Sequence, residues 1–250
     1  KSSNHQIFEP FKLFTMTLNE VMQELEALSD PQTKKTLMRH GAKEPFFGVK
    51  VGEMKKILKK TKKNHELSLQ LYATGNSDAM YLAGLMADEQ KITKEQLEEW
   101  VQGAYWYYLC EFAVPWVASE TPFGIELALK WIDSKEETIA SAGWGTLSSC
   151  ATVMKDEDLD HQLFSELLDR VAKEIHSAQN RVRYAMNNFI ISTACSIPAL
   201  TTKAKDIALK VGAVTVLMDG TACKVPLAAE YIDKNTAMGR IGYKKKTARC

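Results

Sequence analysis

The sequence lacks the short motifs on which most nucleotide-dependent and zinc-dependent enzymes rely. It contains no GxxxxGK(S/T) phosphate loop, no GxGxxG turn, no HExxH pair and no GxSxG nucleophile turn. No two cysteines have CxxC spacing, and the five histidines are scattered along the chain. We therefore expect no cofactor and no structural metal.

Long apolar runs are also missing. No run approaches the roughly 18 residues that a membrane-spanning helix needs, and residues 1–15 lack the basic start, apolar middle and cleavage site of a signal peptide. The five cysteines are odd in number and far apart, which favours free thiols in a reducing compartment over a disulfide framework. We expect a cytoplasmic protein of the bacterial cytosol or nucleoid, with no membrane partner.

The net charge is only +1, but the charges are segregated. The segment from Lys34 to Lys63 is rich in lysine and is opposed only by Glu44 and Glu53, and residues 240–249 form a second basic segment. Two basic segments on a nearly neutral chain indicate a surface that faces a polyanion. Two solvated lysine faces explain the charge pattern equally well.

Hydrophobic spacing is helical almost throughout, as in the stripe Leu18, Val21, Met22, Leu25 and Leu28. Further stripes cover 97–108 and 159–175. Ala213 to Leu217, before the turn at Asp219-Gly220, is interpreted as a short helix or loop. Additional helices are predicted over about 30–39, 51–63, 65–73, 77–87, 105–118, 123–132, 136–150, 178–194, 201–211 and 224–234.

Many short helices with short turns predict an all-α protein, an α-α superhelix (solenoid) of irregular HEAT-like or ARM-like repeats. Such a solenoid has a concave face made by one helix of each pair, which suits an extended ligand. We expect one repeat domain over residues 16–238 and a basic tail over 239–250. Residues 1–15 are expected to be an extension, natural or added, and the protein is expected to be a monomer.

Glu111 is a carboxylate inside an apolar, aromatic run that extends from Trp106 to Trp116. Burying a lone charge is costly, so Glu111 must pair with a cation, face a cleft or raise its pKa. The sequence leaves two interpretations open, a structural ion pair or a functional pocket walled by aromatic rings.

The chain resembles the HEAT-like alkylpurine DNA glycosylases, the AlkC and AlkD superfamily. The resemblance rests on the basic segment that ends at Arg39, the Phe46-Phe47-Gly48-Val49 motif, the basic helix after it, and the run from Trp106 to Pro115. It extends over roughly residues 17–240. The resemblance implies binding of duplex DNA on a concave basic face and, in active members, hydrolysis of the N-glycosidic bond of N3- or N7-alkylated purines.

The resemblance also implies site residues. Glu111 takes the place of a catalytic aspartate that stabilises positive charge on deoxyribose, with Trp106 and Tyr107 beside it. The chain has no arginine on the helix after Trp131, where the family has one, and Asn188 takes the place of a family tryptophan. The expected DNA contacts are Lys55, Lys56, Lys59, Lys60, Arg181, Arg183, Asn188, Lys244, Lys245 and Lys246.

Three functions remain open at this point. The chain could be an alkylpurine glycosylase, a DNA-structure-binding homologue without glycosylase chemistry, or a HEAT-repeat scaffold that binds a protein. Fold similarity alone does not choose among them.

Overall fold

Helices account for almost all regular structure in the computed structural model, which describes residues 16–218 and 224–249. These ranges contain thirteen α-helices and one π-helical segment. The α-helices are α1 (Leu18–Ala27), α2 (Pro31–Arg39), α3 (Val51–Thr61), α4 (His65–Ala73), α5 (Ser77–Met86), α6 (Lys94–Gly103), α7 (Val114–Ser119), α8 (Gly124–Trp131), α9 (Glu137–Val153), α10 (His161–Glu174), α11 (Asn180–Ser196), α12 (Thr201–Val211) and α13 (Ala228–Ala237). The π-helical segment is Leu109–Ala113. The predicted extension (1–15) and the turn at Asp219-Gly220 lie outside the described residues.

The all-α prediction is confirmed, but three predicted helices were wrong in extent. The stripe over 97–108 ends as a helix at Gly103, and the predicted helix over 105–118 divides into the π-helical segment and the short α7. The last predicted helix, 224–234, begins only at Ala228. Pro226 precedes that start, and its carbonyl accepts a hydrogen bond from Asn187 Nδ2 at 3.0 Å, so it is held outside the helix.

Side-chain caps explain where several helices begin. Thr17 with Glu20, and Thr93 with Gln96, form capping boxes at the starts of α1 and α6. Asp30 caps α2, whose first residue is a proline. The polar residues that punctuate the sequence therefore set the short helix lengths on which a solenoid depends.

The helices pair and then stack. Helices α4 and α5, α6 and α7, α8 and α9, α10 and α11, and α12 and α13 pack as pairs, and α5, α7, α9, α11 and α13 each pack against the next in that order. Trp100, Trp131 and Trp144 are buried in the core. The second helix of each pair therefore forms one continuous row.

The Phe46-Phe47-Gly48-Val49 motif is explained by Asp78 on α5. Its buried carboxylate accepts hydrogen bonds from the backbone N–H groups of Phe47, Gly48 and Val49 at 2.6, 2.8 and 3.1 Å. Phe46 is buried in the core beneath this turn. Burial raises the pKa of Asp78, and the three N–H groups oppose that rise. The motif thus anchors the α2–α3 connection to α5.

Residues 242–249, called here the C-terminal strap, cross the carboxyl-terminal ends of the row. The Gly242 N–H donates to Cys195 O, and the Lys245 N–H donates to Thr152 O, both at 2.8 Å. The Ala248 N–H donates to Glu120 Oε1 at 2.7 Å. The acceptors lie at or near the ends of α11, α9 and α7, so the strap ties successive helices together.

Arg249 completes this attachment at the end of α5. Its side chain is only 10% exposed, and its guanidinium donates to Ala87 O at 2.7 Å and pairs with Glu89 and Glu120 at 3.0 and 3.2 Å. A cation near exposed helix carbonyls also interacts favourably with the helix dipole. Arg249 is therefore the most strongly held residue of the strap.

Replacing Arg249 with alanine should lower the free energy of unfolding by about 2 kcal/mol, because two partly buried carboxylates and the Ala87 carbonyl each lose one donor. Urea denaturation of the full chain measures this loss. Arg240→Ala, at an exposed arginine just before the strap, is the matched control and should change stability by less than about 0.5 kcal/mol. Equal losses in the two variants would contradict the role of Arg249.

Candidate functional site

Glu111 lies in the π-helical segment, where neighbouring helices come very close. A Cβ added to Gly84 of α5 would lie 2.8 Å from Ala113 Cβ, and one added to Gly145 of α9 would lie 3.1 Å from Pro115 Cγ. Pro115 cannot donate a backbone hydrogen bond, which favours irregular helix geometry just before it. Single-turn π-helices are frequent at functional sites. Here the π-helical segment sets the position from which the Glu111 side chain projects.

The Glu111 carboxylate is paired with Arg181 of α11. Arg181 Nε donates to Glu111 Oε1 and Arg181 Nη2 donates to Glu111 Oε2, both at 2.7 Å. The Glu111 side chain is 5% exposed and the Arg181 side chain is 20% exposed. This bidentate geometry is the strongest form of a carboxylate–guanidinium pair. The structure therefore shows the ion pair that was one of the two interpretations of Glu111. Both residues of the pair also line a pocket.

Two opposing effects set the pKa of Glu111, namely burial and the attraction of Arg181. Burial raises the pKa of Glu111 to about 7, whereas the hydrogen bonds and charge of Arg181 act to lower it. Glu137 adds to the rise through like-charge repulsion, and its carboxylate accepts the backbone N–H of Arg181 at 2.8 Å. Glu111 in turn raises the pKa of Arg181. A carboxylate in this setting depends on its arginine to stay charged.

Aromatic rings surround the Arg181 guanidinium. Its central carbon lies 4.7 Å from the ring centre of Tyr107 and 4.6 Å from that of Tyr184, which is cation–π distance. Trp106 packs edge-on against Tyr107 at 5.1 Å and donates its indole N–H to Ser77 Oγ at 2.8 Å. Trp106 is thus largely a buried support, while Tyr107 and Tyr184 line the pocket.

Three adjoining cavities make one continuous groove along the row. The first, of about 250 Å³, contains the Glu111–Arg181 pair and shares Glu111, Phe112 and Tyr184 with a central cavity of about 490 Å³. The central cavity continues into a third, of about 450 Å³, which contains Tyr243 and Arg240. The second and third share Thr152, Ile191, Ser192, Tyr231 and Lys245. We call this surface the groove.

Some of the residues predicted from the sequence meet in the groove and others do not. Among its lining residues are the predicted Trp106, Tyr107, Glu111, Arg181, Asn188 and Lys245. Arg181, predicted to contact phosphate, has its guanidinium engaged by Glu111. Asn188 lines the central cavity. Its neighbour Asn187 is buried, and its Nδ2 donates a hydrogen bond to Pro226 O.

The remaining predicted phosphate contacts lie elsewhere. Lys55, Lys56, Lys59 and Lys60 are on α3, outside the groove lining, and Lys56 and Lys60 pair with Glu53 and Glu24. Arg183 donates to Thr215 O at 3.0 Å, and Lys244 Nζ donates to Ala151 O at 2.8 Å. Lys246 lines a separate cavity beside Arg249. Their role as DNA contacts stays a prediction.

Sequence reasoning missed the partner of Glu111 and two further residues of the pocket, Glu137 and Tyr184. Arg181 and Glu111 are 70 residues apart, so no local spacing relates them. The one available signal is that Arg181 and Tyr184 are three residues apart at the start of a helix, and hence share a face. The helix after Trp131, α9, contains no arginine. The arginine that contacts Glu111 is Arg181, which lies on α11.

Within the described ranges, no three His, Cys, Asp or Glu side chains come together in a way that could hold a metal ion. Of the helices in those ranges, none is long and apolar enough to cross a membrane.

Comparison with known proteins establishes the family. The family model described as DNA alkylation repair enzyme matches residues 21–205. The chain belongs to the DNA alkylation repair enzyme family. An uncharacterized protein of Listeria innocua is 34% identical over 224 residues, covering 88% of this chain and 97% of that protein. One of Listeria monocytogenes is 35% identical over 225 residues, with the same coverage of each chain.

A solved structure confirms the HEAT-like repeat fold of this family member. It has a TM-score of 0.86 and 42% sequence identity, and the match covers 94% of this chain and all of that one. That protein is described as part of a new family related to the HEAT-like repeat DNA glycosylases, with affinity for branched DNA structures. The predicted fold class and the divergent family membership are both confirmed.

Proposed function

We propose that this protein binds branched DNA in its groove and does not excise alkylated bases. A structural relative with 42% identity is described as having affinity for branched DNA, and the similarity extends over nearly the whole of both chains. The groove joins the position of the family carboxylate to a basic, aromatic end. A protein that binds branched DNA in this way must be in the same compartment as the chromosome.

The observation that carries the proposal is the state of the Glu111 carboxylate. A glycosylase carboxylate must present negative charge to the sugar as the glycosidic bond breaks. Here both oxygens accept hydrogen bonds from Arg181, and the side chain is 5% exposed. The guanidinium cancels the charge that a developing oxocarbenium ion would need. Glu111 and Arg181 therefore act as a structural pair at the wall of a binding groove.

Two measurements on the full chain test the proposal. A gel-shift titration should give tighter binding to a three-way or four-way junction than to a linear duplex of the same sequence, and the affinity should fall with salt. Equal affinity for junction and duplex would contradict the preference for branches, and no binding to any DNA would favour the protein scaffold.

The second measurement is release of 7-methylguanine from alkylated DNA. We expect no release above the level without protein, and no difference between the native protein and Glu111→Gln. Release that is lost in Glu111→Gln would overturn the non-catalytic assignment and restore the glycosylase alternative.

A further inference from the structure

The groove has few cations along its floor. Between the Glu111–Arg181 pair and Lys245, the described residues that line the groove are all uncharged, among them Phe112, Ser149, Asn188 and Tyr231. Binding to a duplex backbone draws its affinity from several lysines and arginines, each neutralising a phosphate. The floor of this groove cannot supply that attraction.

The end of the groove near Glu111 does not attract phosphate either. The described residues that line it include the charged Arg181, Glu111 and Glu137, so the Arg181 guanidinium lies beside two carboxylates. His40 also lines this end. The guanidinium already has two of its five N–H groups on Glu111. A neutral ligand fits this end better than an anion.

The groove is instead lined by aromatic rings and by neutral hydrogen-bonding groups. Tyr184 lines its first two cavities, Tyr231 lines its last two and is 47% exposed, and Tyr243 in the last is 70% exposed. The central cavity is also lined by the hydroxyls and the amide of Ser148, Ser149, Thr152, Ser192 and Asn188. Stacking rings together with uncharged donors and acceptors are the features that hold unpaired bases. Arg240 and Lys245 add positive charge at the far end.

We infer that the groove holds unpaired nucleotides at the branch point of a DNA junction, with bases stacked on Tyr184 and Tyr231 and the backbone directed away from the floor. This inference rests on the function proposed above and names the part of the branched DNA that the groove recognises. The paired arms then contact the protein outside the groove floor.

The test compares three DNAs of matched sequence by fluorescence anisotropy with the full chain. They are a linear duplex, a fully paired three-way junction, and the same junction with a short unpaired stretch at the branch point. The unpaired stretch should tighten binding about 10-fold relative to the paired junction, the equivalent of one good base–aromatic stack. This gain should persist between 50 and 200 mM salt, because it does not come from phosphate contacts.

Variants locate the gain in the groove. Tyr184→Leu and Tyr231→Leu should each reduce the roughly 10-fold gain to about twofold or less, whereas Tyr184→Phe and Tyr231→Phe, which keep the ring, should preserve it. Leu209→Ala, at an exposed side chain of α12 outside the groove, should leave the gain unchanged. Quenching of 2-aminopurine placed in the unpaired stretch provides a reading on the native protein, independent of any variant's folding.

The outcomes separate the two proposals. No preference for the paired junction over the duplex would overturn the proposed function itself. A junction preference with no gain from unpaired nucleotides, with no quenching, or with a gain that both leucine variants retain, would overturn the inference alone.

Discussion

Replacing Arg181 with methionine should lower the free energy of unfolding by about 3 kcal/mol at pH 8, because it leaves a buried carboxylate without its partner. The loss should be smaller at pH 5. Burial already raises the pKa of Glu111 to about 7, and removing Arg181 takes away the main influence that lowers it. The folded variant then favours protonated Glu111, while the unfolded chain ionises near pH 4.3, so raising the pH favours unfolding.

Urea denaturation at pH 5 and pH 8 measures both quantities. The matched control is the double variant Glu111→Gln, Arg181→Met, which removes both charges and should recover most of the stability lost at pH 8. Replacing a buried ion pair by neutral residues of similar volume is often nearly neutral. A loss that does not change with pH, or that the double variant does not recover, would show that Arg181 stabilises the fold by packing alone.

Gly48→Ala should lower the free energy of unfolding by about 3–5 kcal/mol. Gly48 has φ of +83°, which side-chain-bearing residues adopt only with strain. A Cβ there would also lie 2.5 Å from Lys34 Cβ and 2.6 Å from Lys34 Cα, so α2 would have to move away. Such a shift would also disturb the three backbone N–H groups that bond to Asp78.

Gly52→Ala is the matched control, four residues further along in α3. Nothing lies within 4 Å of a Cβ at that position, and alanine suits a helix better than glycine. It should leave stability unchanged or raise it by up to about 1 kcal/mol in the same urea titration. Similar losses in the free energy of unfolding of both variants would mean that the turn at Gly48 does not require glycine.

Local patterns predicted the helices well because they depend on near neighbours. The spacing of leucines and valines, and caps such as Asp30 and Asn64, act within one or two turns of a helix. Two of the three failures were at Pro115 and Pro226. There, proline and close packing against other helices changed the local geometry, and a hydrophobic period does not report either effect.

The candidate site could be predicted only in part. Glu111 stands out in the sequence because a charge in an aromatic run needs a partner or a cleft. Arg181 was predicted only as a DNA contact, and nothing near it in the chain indicates that it pairs with a carboxylate 70 residues away. The C-terminal segment was predicted to be a basic tail because of its lysines and arginines. In the structure, Lys244 and Arg249 donate to backbone carbonyls at the ends of helices.

The sequence by itself determined that the chain is helical, that its helices are short and paired, and that Glu111 is chemically exceptional. These properties follow from periodicity, capping and the cost of burying charge, all of which act locally. Only the tertiary structure decided what Glu111 does, because stacking α11 beside the π-helical segment brings Arg181 within 2.7 Å of both carboxylate oxygens. The same stacking made the groove floor neutral and aromatic, since it turned the uncharged faces of α9 and α11 toward it.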